Sequence, residues 1–492
     1  MSGQRLDHLL QGIAETKAVG PIVVSGLALD SRKVQRGDAF FALRGTRGHG
    51  IEFAQGAVQR GASVVLAESP APSELQNLDV PVLWIDGLHA FVGEIAARFF
   101  GRPSEAMRVI GVTGTNGKTS TVQLLAQALE YLGHRAGTIG TLGTGLHGHL
   151  REGERTTPDA IAVQQLFAEF RRDGASHVAM EVSSHALEQG RVAATAFDVA
   201  AFTNLTRDHL DYHGSMEAYG AAKAKLFVWP GLKAAAINID DAFGRELVRK
   251  LPPSVRAWRL SNAGDKQADI AASDIVTSAE GVVFALRTPW GEKQIRSRLL
   301  GRFNVSNLLA VIGCLAALGE SFERIVDAVE ALEPVSGRMN RIGGLQGLPL
   351  VVVDYAHTPD ALEQALNALR AHCQARLICV FGCGGERDAG KRPQMGEIAE
   401  RLADVAIVTD DNPRGEDGDT IVAQILAGMA RPQEATVLRD REAAIRAALT
   451  MARTGDVVLI AGKGHETYQE GAGGKRAFDD MAVARVALET HA

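Results

Sequence analysis

The chain is poor in cysteine, with four in 492 residues. Cys314, Cys373, Cys379 and Cys383 form no CxxC pair and no zinc-type array, which excludes a disulfide scaffold and a structural zinc site. They read as buried free thiols in a reducing compartment. No apolar run approaches the roughly 20 residues that cross a bilayer, so no membrane span is expected. The opening residues, Met1-Ser2-Gly3-Gln4-Arg5-Leu6-Asp7-His8, lack the apolar core of a secretion signal. Neither sign of charge dominates: 52 basic against 58 acidic residues leave a net charge of −6. That balance gives no support for binding nucleic acid. Internal repeats and low-complexity tracts are missing too. The chain reads as a cytoplasmic globular protein.

Its composition, 46% hydrophobic and 22% charged, is ample for several cores, and its length predicts about three domains. The fold class is α/β. Residues 1–105 read as a small α/β domain with β-like runs at Ile22–Leu29, Ala39–Leu43, Ser63–Ala67 and Val80–Ile85. Residues 106–336 alternate strand and helix, which implies a mostly parallel sheet, with an antiparallel insert at Ile275–Arg298. Residues 337–492 form a Rossmann-like α/β domain. There, strands Leu350–Val353, Leu377–Phe381, Val405–Val408 and Val457–Ile460 each run into a polar loop. Open α/β sheets bind ligands at such strand ends.

The richest stretch is Gly114-Thr115-Asn116-Gly117-Lys118-Thr119-Ser120, between an apolar strand and a helix. Such a turn aims backbone N–H groups and a helix dipole at one phosphate. Lys118 reaches the outer phosphates, and the Thr119 hydroxyl suits Mg²⁺. Val112 stands where the strict phosphate-loop pattern has its first glycine; the compact form does the same job. Glu181 ends a strand expected beside this loop and reads either as a magnesium ligand or as a surface carboxylate. His209, in the polar run Thr203–His213, is a metal ligand or a structural histidine. Lys223 reads as a solvated helix lysine. Alternatively, a desolvated neutral amine takes up CO₂ and becomes a carbamate, an oxygen ligand for magnesium. In the third domain, Asp411-Asn412-Pro413-Arg414 offers a guanidinium on a stiff turn, to grip a carboxylate or to pair with Asp410 or Asp411. Arg387 lies on a neighbouring loop, while Gly462 and Glu466 could receive an ammonium group.

Together these motifs closely resemble the Mur ligase family, ATP-dependent amide-bond-forming enzymes of peptidoglycan assembly. The likeness spans nearly the whole chain, including Leu29-Asp30-Ser31-Arg32, Gly114–Ser120, Thr156-Thr157-Pro158-Asp159, Glu181–His185, Asn204–His213, Gly301–Asn304, Gly337–Asn340, Asp354–His357 and Gly462–Glu466. It implies a first domain holding the UDP end of a UDP-N-acetylmuramoyl dipeptide through Leu27, Leu29, Ser31, Thr46, Arg47 and Gly48. The central domain would bind ATP and Mg²⁺ and meet the peptide at Thr156, Thr157, Ser184, Gln189 and Arg191. The third would present meso-2,6-diaminopimelate through Arg387, Asp411, Asn412, Pro413, Arg414, Gly462 and Glu466. By the same resemblance Lys223 matches a carbamylated lysine and His209 a metal ligand. Asn304 lies near the adenine, and Arg338 and Asp354 contact the nucleotide.

The chemistry implied is activation of the D-glutamyl γ-carboxylate as an acyl phosphate, then attack by the incoming amine. A monomer is expected, with hinges near Gly101–Pro103 and Pro334–Gly337. The rival readings are the same ligation with L-lysine, a folylpolyglutamate synthetase-like ligase, and, outside this class, a noncatalytic nucleotide-binding partner or a kinase.

Overall fold

A computed structural model describes residues 3–16, 19–45, 48–73, 77–153, 155–345 and 347–489. Packing divides the chain into two compact units. One runs to Leu260 and takes in Gly313–Ser321; the other holds Ser261–Ile312 and the chain from Phe322 onward.

In the first unit, Gly26–Ala28, Asp38–Ala42, Val64–Glu68 and Val82–Ile85 form a four-stranded sheet, parallel throughout. The run expected at Ile22–Leu29 is broken, because Val23–Val24 pairs antiparallel with Gln4–Arg5 instead. Apolar side chains of helix Leu88–Phe99 seal one face of this sheet, and Ala160 and Ile161 share that core. A second sheet runs in the order His149–Arg151, Gly143–Leu146, Ala136–Gly140, His177–Glu181, Arg108–Thr113, Val199–Phe202, Ala234–Asn238, Arg256–Ser261. Its central strands are parallel and, Arg108 and Asn238 apart, buried, as continuous apolar runs require. Glycine-rich Ala136–Gly140 was not anticipated, since glycine carries no strand signal. Here it is needed: at Gly137 a Cβ would press on the Phe170 ring.

In the second unit, Ile270–Ser278, Gly281–Thr288 and Gly291–Ser297 are the expected antiparallel insert. A six-stranded sheet follows in the order Asn340–Gly343, Leu350–Asp354, Val457–Ala461, Leu377–Phe381, Val405–Val408, Thr436–Val437. Its first pair is antiparallel and the rest parallel. Two apolar cores cover its faces. Every parallel strand leaves the sheet in the same direction, so the loops after Asp354, Phe381, Val408 and Ala461 gather on one edge. No helix among the described residues is long and apolar enough to cross a membrane.

Candidate active site

Strand Arg108–Thr113 turns through Gly114 and Gly117, at φ +152° and +85°, into helix Lys118–Tyr131. A Cβ on Gly114 would collide with Thr203 Oγ1, so only glycine lets the turn lie against the neighbouring strand end. That strand end holds the loop in shape. Thr115 N donates to Asn204 O at 2.8 Å, Asn116 N to Asn204 Oδ1 at 2.9 Å, and Thr203 Oγ1 to Asn116 O at 2.6 Å. Lys118 folds back over the turn, donating to Gly114 O (2.9 Å) and Thr115 O (2.8 Å). The Thr119 side chain is buried in the first helical turn, while Ser120 is half-buried.

The structure brings Lys223 to this loop from helix Met216–Ala224. It is buried, donates to Gly114 O at 2.9 Å, and lies 4.2 Å from the centre of the Tyr219 ring. Burial, and then the nearby Lys118 charge, push its amine down to about 6. The solvated-lysine alternative is thereby set aside. Glu181 is equally buried, on a strand that pairs with the loop's own strand, Glu181 opposite Val112. Its carboxylate accepts from Thr141 N (2.7 Å) and Thr141 Oγ1 (3.3 Å), and Gly140 leaves room for it. Glu181 is not a surface carboxylate. His209 sits half-exposed at φ +52°, its ring 4.9 Å from that of His185.

The residues expected around the peptide form a connected network. Thr156 Oγ1 meets Thr141 Oγ1 at 3.0 Å, and Thr157 Oγ1 donates to Glu181 O at 2.8 Å. Arg191 donates to Thr157 O (3.1 Å) and Gln189 Oε1 (2.9 Å), Gln189 to the Tyr212 hydroxyl (3.0 Å), and Ser184 Oγ lies 2.9 Å from His213 Nε2. Nearby, a cleft of about 1260 Å³ is lined by Leu27, Leu29, Ser31 and Gly48, with Arg155 and Arg172 among its other lining residues. Thr46 and Arg47 lie outside the described residues. The other residues named for the UDP end thus share one cleft.

In the second unit Asp354 ends its strand in a buried position, accepting from Met339 N at 2.8 Å; burial raises its carboxyl above the usual range. Arg338 stacks over Tyr355 at 5.4 Å, and its Nε is buried without a hydrogen-bond partner among the described residues. Asn304 is buried, donating to Leu300 O (2.8 Å) and accepting from Asn307 (2.8 Å).

The loops after Phe381, Val408 and Ala461 converge. Arg414, at φ +52°, donates to Gly385 O at 2.9 Å and pairs with Glu470 at 3.3 Å. It pairs with neither Asp410 nor Asp411. Asp410 is held bidentately by Arg439 (2.6 and 3.0 Å), and Asp411 is buried beside Gly462, its carboxyl raised by burial. Arg387 is exposed near Gly384, where Arg414 Nη1 also approaches. Glu466 accepts from Asn412 Nδ2 (2.9 Å) and Lys463 Nζ (3.0 Å). Pro413 carries the turn between Asn412 and Arg414. Sequence reasoning passed over Thr141, Asn204, Lys463 and Glu470 as individual residues. Lys463, fully buried between two loops, carried one signal: a lysine flanked by two glycines after an apolar strand.

A glycine turn feeding a helix from a parallel sheet, with a desolvated lysine behind it, defines a nucleotide-phosphate-binding α/β protein. The chain belongs to the Mur ligase family. The family's catalytic-domain model matches residues 23–100, its middle-domain model 112–315, and its glutamate ligase domain model 337–464. The UDP-N-acetylmuramoyl-L-alanyl-D-glutamate–2,6-diaminopimelate ligase of Xanthomonas campestris is 58% identical, over 98% of this chain and 97% of its own. Its counterpart in Xylella fastidiosa is 55% identical, over 98% and 97%. A solved structure of a ligase of the same description is 36% identical, with a TM-score of 0.77, covering 100% of this chain and 99% of its own.

Proposed function

We propose that the protein is an ATP-dependent, ADP-forming ligase that joins meso-2,6-diaminopimelate to the D-glutamate γ-carboxylate of UDP-N-acetylmuramoyl-L-alanyl-D-glutamate, in the cytoplasm and as a monomer, during peptidoglycan precursor synthesis. The observation that carries it is the 58% identity, end to end, with a ligase of that description. We keep 1–105, 106–336 and 337–492 as the UDP-substrate, ATP and amino-acid domains.

A carboxylate is a poor electrophile, so the γ-phosphoryl group of ATP first moves onto it, releasing ADP and leaving an acyl phosphate. Gly114–Ser120 holds the phosphates, and the Lys118 ammonium offsets charge on the group in flight. Thr119 and Glu181 offer hard oxygens, and Lys223, neutral at cellular pH, offers two more once it carries CO₂; His209 completes the set. That donor chemistry fits magnesium, which when bound would withdraw charge from the phosphates. Thr156, Thr157, Ser184, Gln189 and Arg191 orient the peptide, and the cleft lined by Leu27, Leu29, Ser31 and Gly48 takes the UDP end. Asn304, Arg338 and Asp354 hold the nucleotide; the Nε of Arg338, without a partner among the described residues, supports this. The amine then attacks the acyl carbon and phosphate leaves. Arg387 and Arg414 grip the far carboxylate of the amino acid, while Glu466 receives its ammonium.

The test is direct. Purified protein with ATP, Mg²⁺ and the UDP-dipeptide is offered diaminopimelate or lysine, and the product is weighed. A coupled product with diaminopimelate and little with lysine supports the proposal. Phosphate release without any added amine would argue for an ATPase, and a stable phosphorylated UDP-dipeptide for a kinase.

A further inference from the structure

We infer that Arg392 and Glu416 act as a positioning pair that sets the spacing of the Arg387 and Arg414 loops, and with it the preference for an amino acid bearing a second carboxylate. Arg392 stands in the first turn of helix Lys391–Leu402, and its side chain is 0% exposed. Its Nη1 donates to Glu416 Oε1 and Gln424 Oε1, both at 2.6 Å; its Nη2 donates to Glu416 Oε2 at 2.7 Å and to Gly384 O at 3.2 Å. Glu416 Oε2 also accepts from Glu386 N at 2.9 Å.

One guanidinium–carboxylate pair therefore ties backbone just before Arg387 to the residue two positions after Arg414. The two loops lie backbone to backbone above it. Gly385 N donates to Asn412 O at 2.9 Å, and a Cβ on Gly385 would strike Pro413 O. Glu386 and Arg414 both hold left-handed backbone, at φ +54° and +52°, a conformation that side-chain-bearing residues keep only where surroundings impose it. A bidentate pair supplies that imposition, because its planar fork fixes orientation as well as distance. Arg392 is buried and Glu416 half-buried; such a pair adds little to stability compared with apolar packing, so its presence here is better accounted for by geometry. Both act through the loops.

This inference rests on the ligase reading above, and the experiment separates the two. Steady-state kinetics are run on the full-length protein, on Glu416→Gln, which keeps shape and removes charge, and on Arg392→Lys, which keeps charge and removes the fork. KM for diaminopimelate is expected to rise about tenfold or more in both, with KM for ATP and for the UDP-dipeptide nearly unmoved. The preference for diaminopimelate over lysine in kcat/KM should fall with it. If Glu416→Gln does not fold, Glu416→Asp, one methylene shorter, is read in the same way. An unchanged KM and preference overturns the pair. So does a parallel rise in all three KM values with a lowered Tm, which marks a purely structural role. Wild-type protein that makes no diaminopimelate product overturns the ligase reading instead.

Discussion

At the scale of single residues, Lys223 has an environment that dictates its chemistry. A primary amine ordinarily titrates near 10.5, and here burial brings it to about 6. Between those values the unfolded chain binds the proton and the folded chain does not. Stability contributed through this group therefore rises with pH from about 6 towards 10.5, and the penalty is complete below about 6. In CO₂-free buffer, Lys223→Met should unfold at higher temperature than wild type near pH 6, with the gap closing as pH rises. With labelled bicarbonate, wild type should show a carbamate carbon resonance that the variant lacks. A pH-independent gap would remove the desolvation argument. Arg414 is the other decisive residue. Arg414→Ala should weaken diaminopimelate use by about 2–5 kcal/mol of apparent binding energy, leaving ATP binding intact. Isothermal titration with each ligand checks this, and an unaltered amino-acid affinity would take Arg414 out of the site.

At the scale of elements, caps and strand register place the site. Asp159 closes the motif Thr156–Asp159 and accepts from Ile161 N (3.1 Å) and Ala162 N (3.0 Å) at the start of helix Ala160–Arg172. It also lines the cleft. Asp159→Ala should therefore ease local opening of that helix by about 1 kcal/mol, read by amide hydrogen exchange over its first turns. Protection unchanged from wild type would mean the cap is redundant. Register matters as much in the sheet: Glu181 pairs opposite Val112, two residues before Gly114, and its carboxylate turns to Thr141 at the end of the strand on the other side. A slip of one residue would turn it to the opposite face. These elements were largely legible beforehand. Ala234–Asn238, Leu377–Phe381 and Val405–Val408 fall where the apolar runs placed them. Ala136–Gly140 and Gly143–Leu146 were not, because their glycines are fitted to groups supplied by other elements: the Phe170 and Glu181 side chains at Gly137 and Gly140, the backbone of Arg151 and His149 at Gly143 and Gly145.

At the scale of the molecule, the phosphate loop and the arginine-bearing loops belong to different compact units. Joining a phosphorylated carboxylate to an amine requires both reactants at bonding distance, and effective concentration supplies much of the rate. Ligand-driven closure is therefore expected: the scattering radius should shrink when a non-hydrolysable ATP analogue, the UDP-dipeptide and diaminopimelate are added together. Identical radii with and without ligands would count against it. What the amino-acid order determined by itself was local. Gly114 to Ser120 makes a tight turn into a helix because positive-φ glycines and the first N–H groups of that helix act within a few residues of one another, and runs of Val, Ile and Leu mark strands wherever they occur. Partnership was decided only by the tertiary structure. Lys223 meets a carbonyl 109 positions away, Arg414 finds Glu470 rather than its neighbouring aspartates, and Arg392 finds Glu416. Desolvation and ion pairing depend on which distant segments pack together, and no periodicity along the chain encodes that.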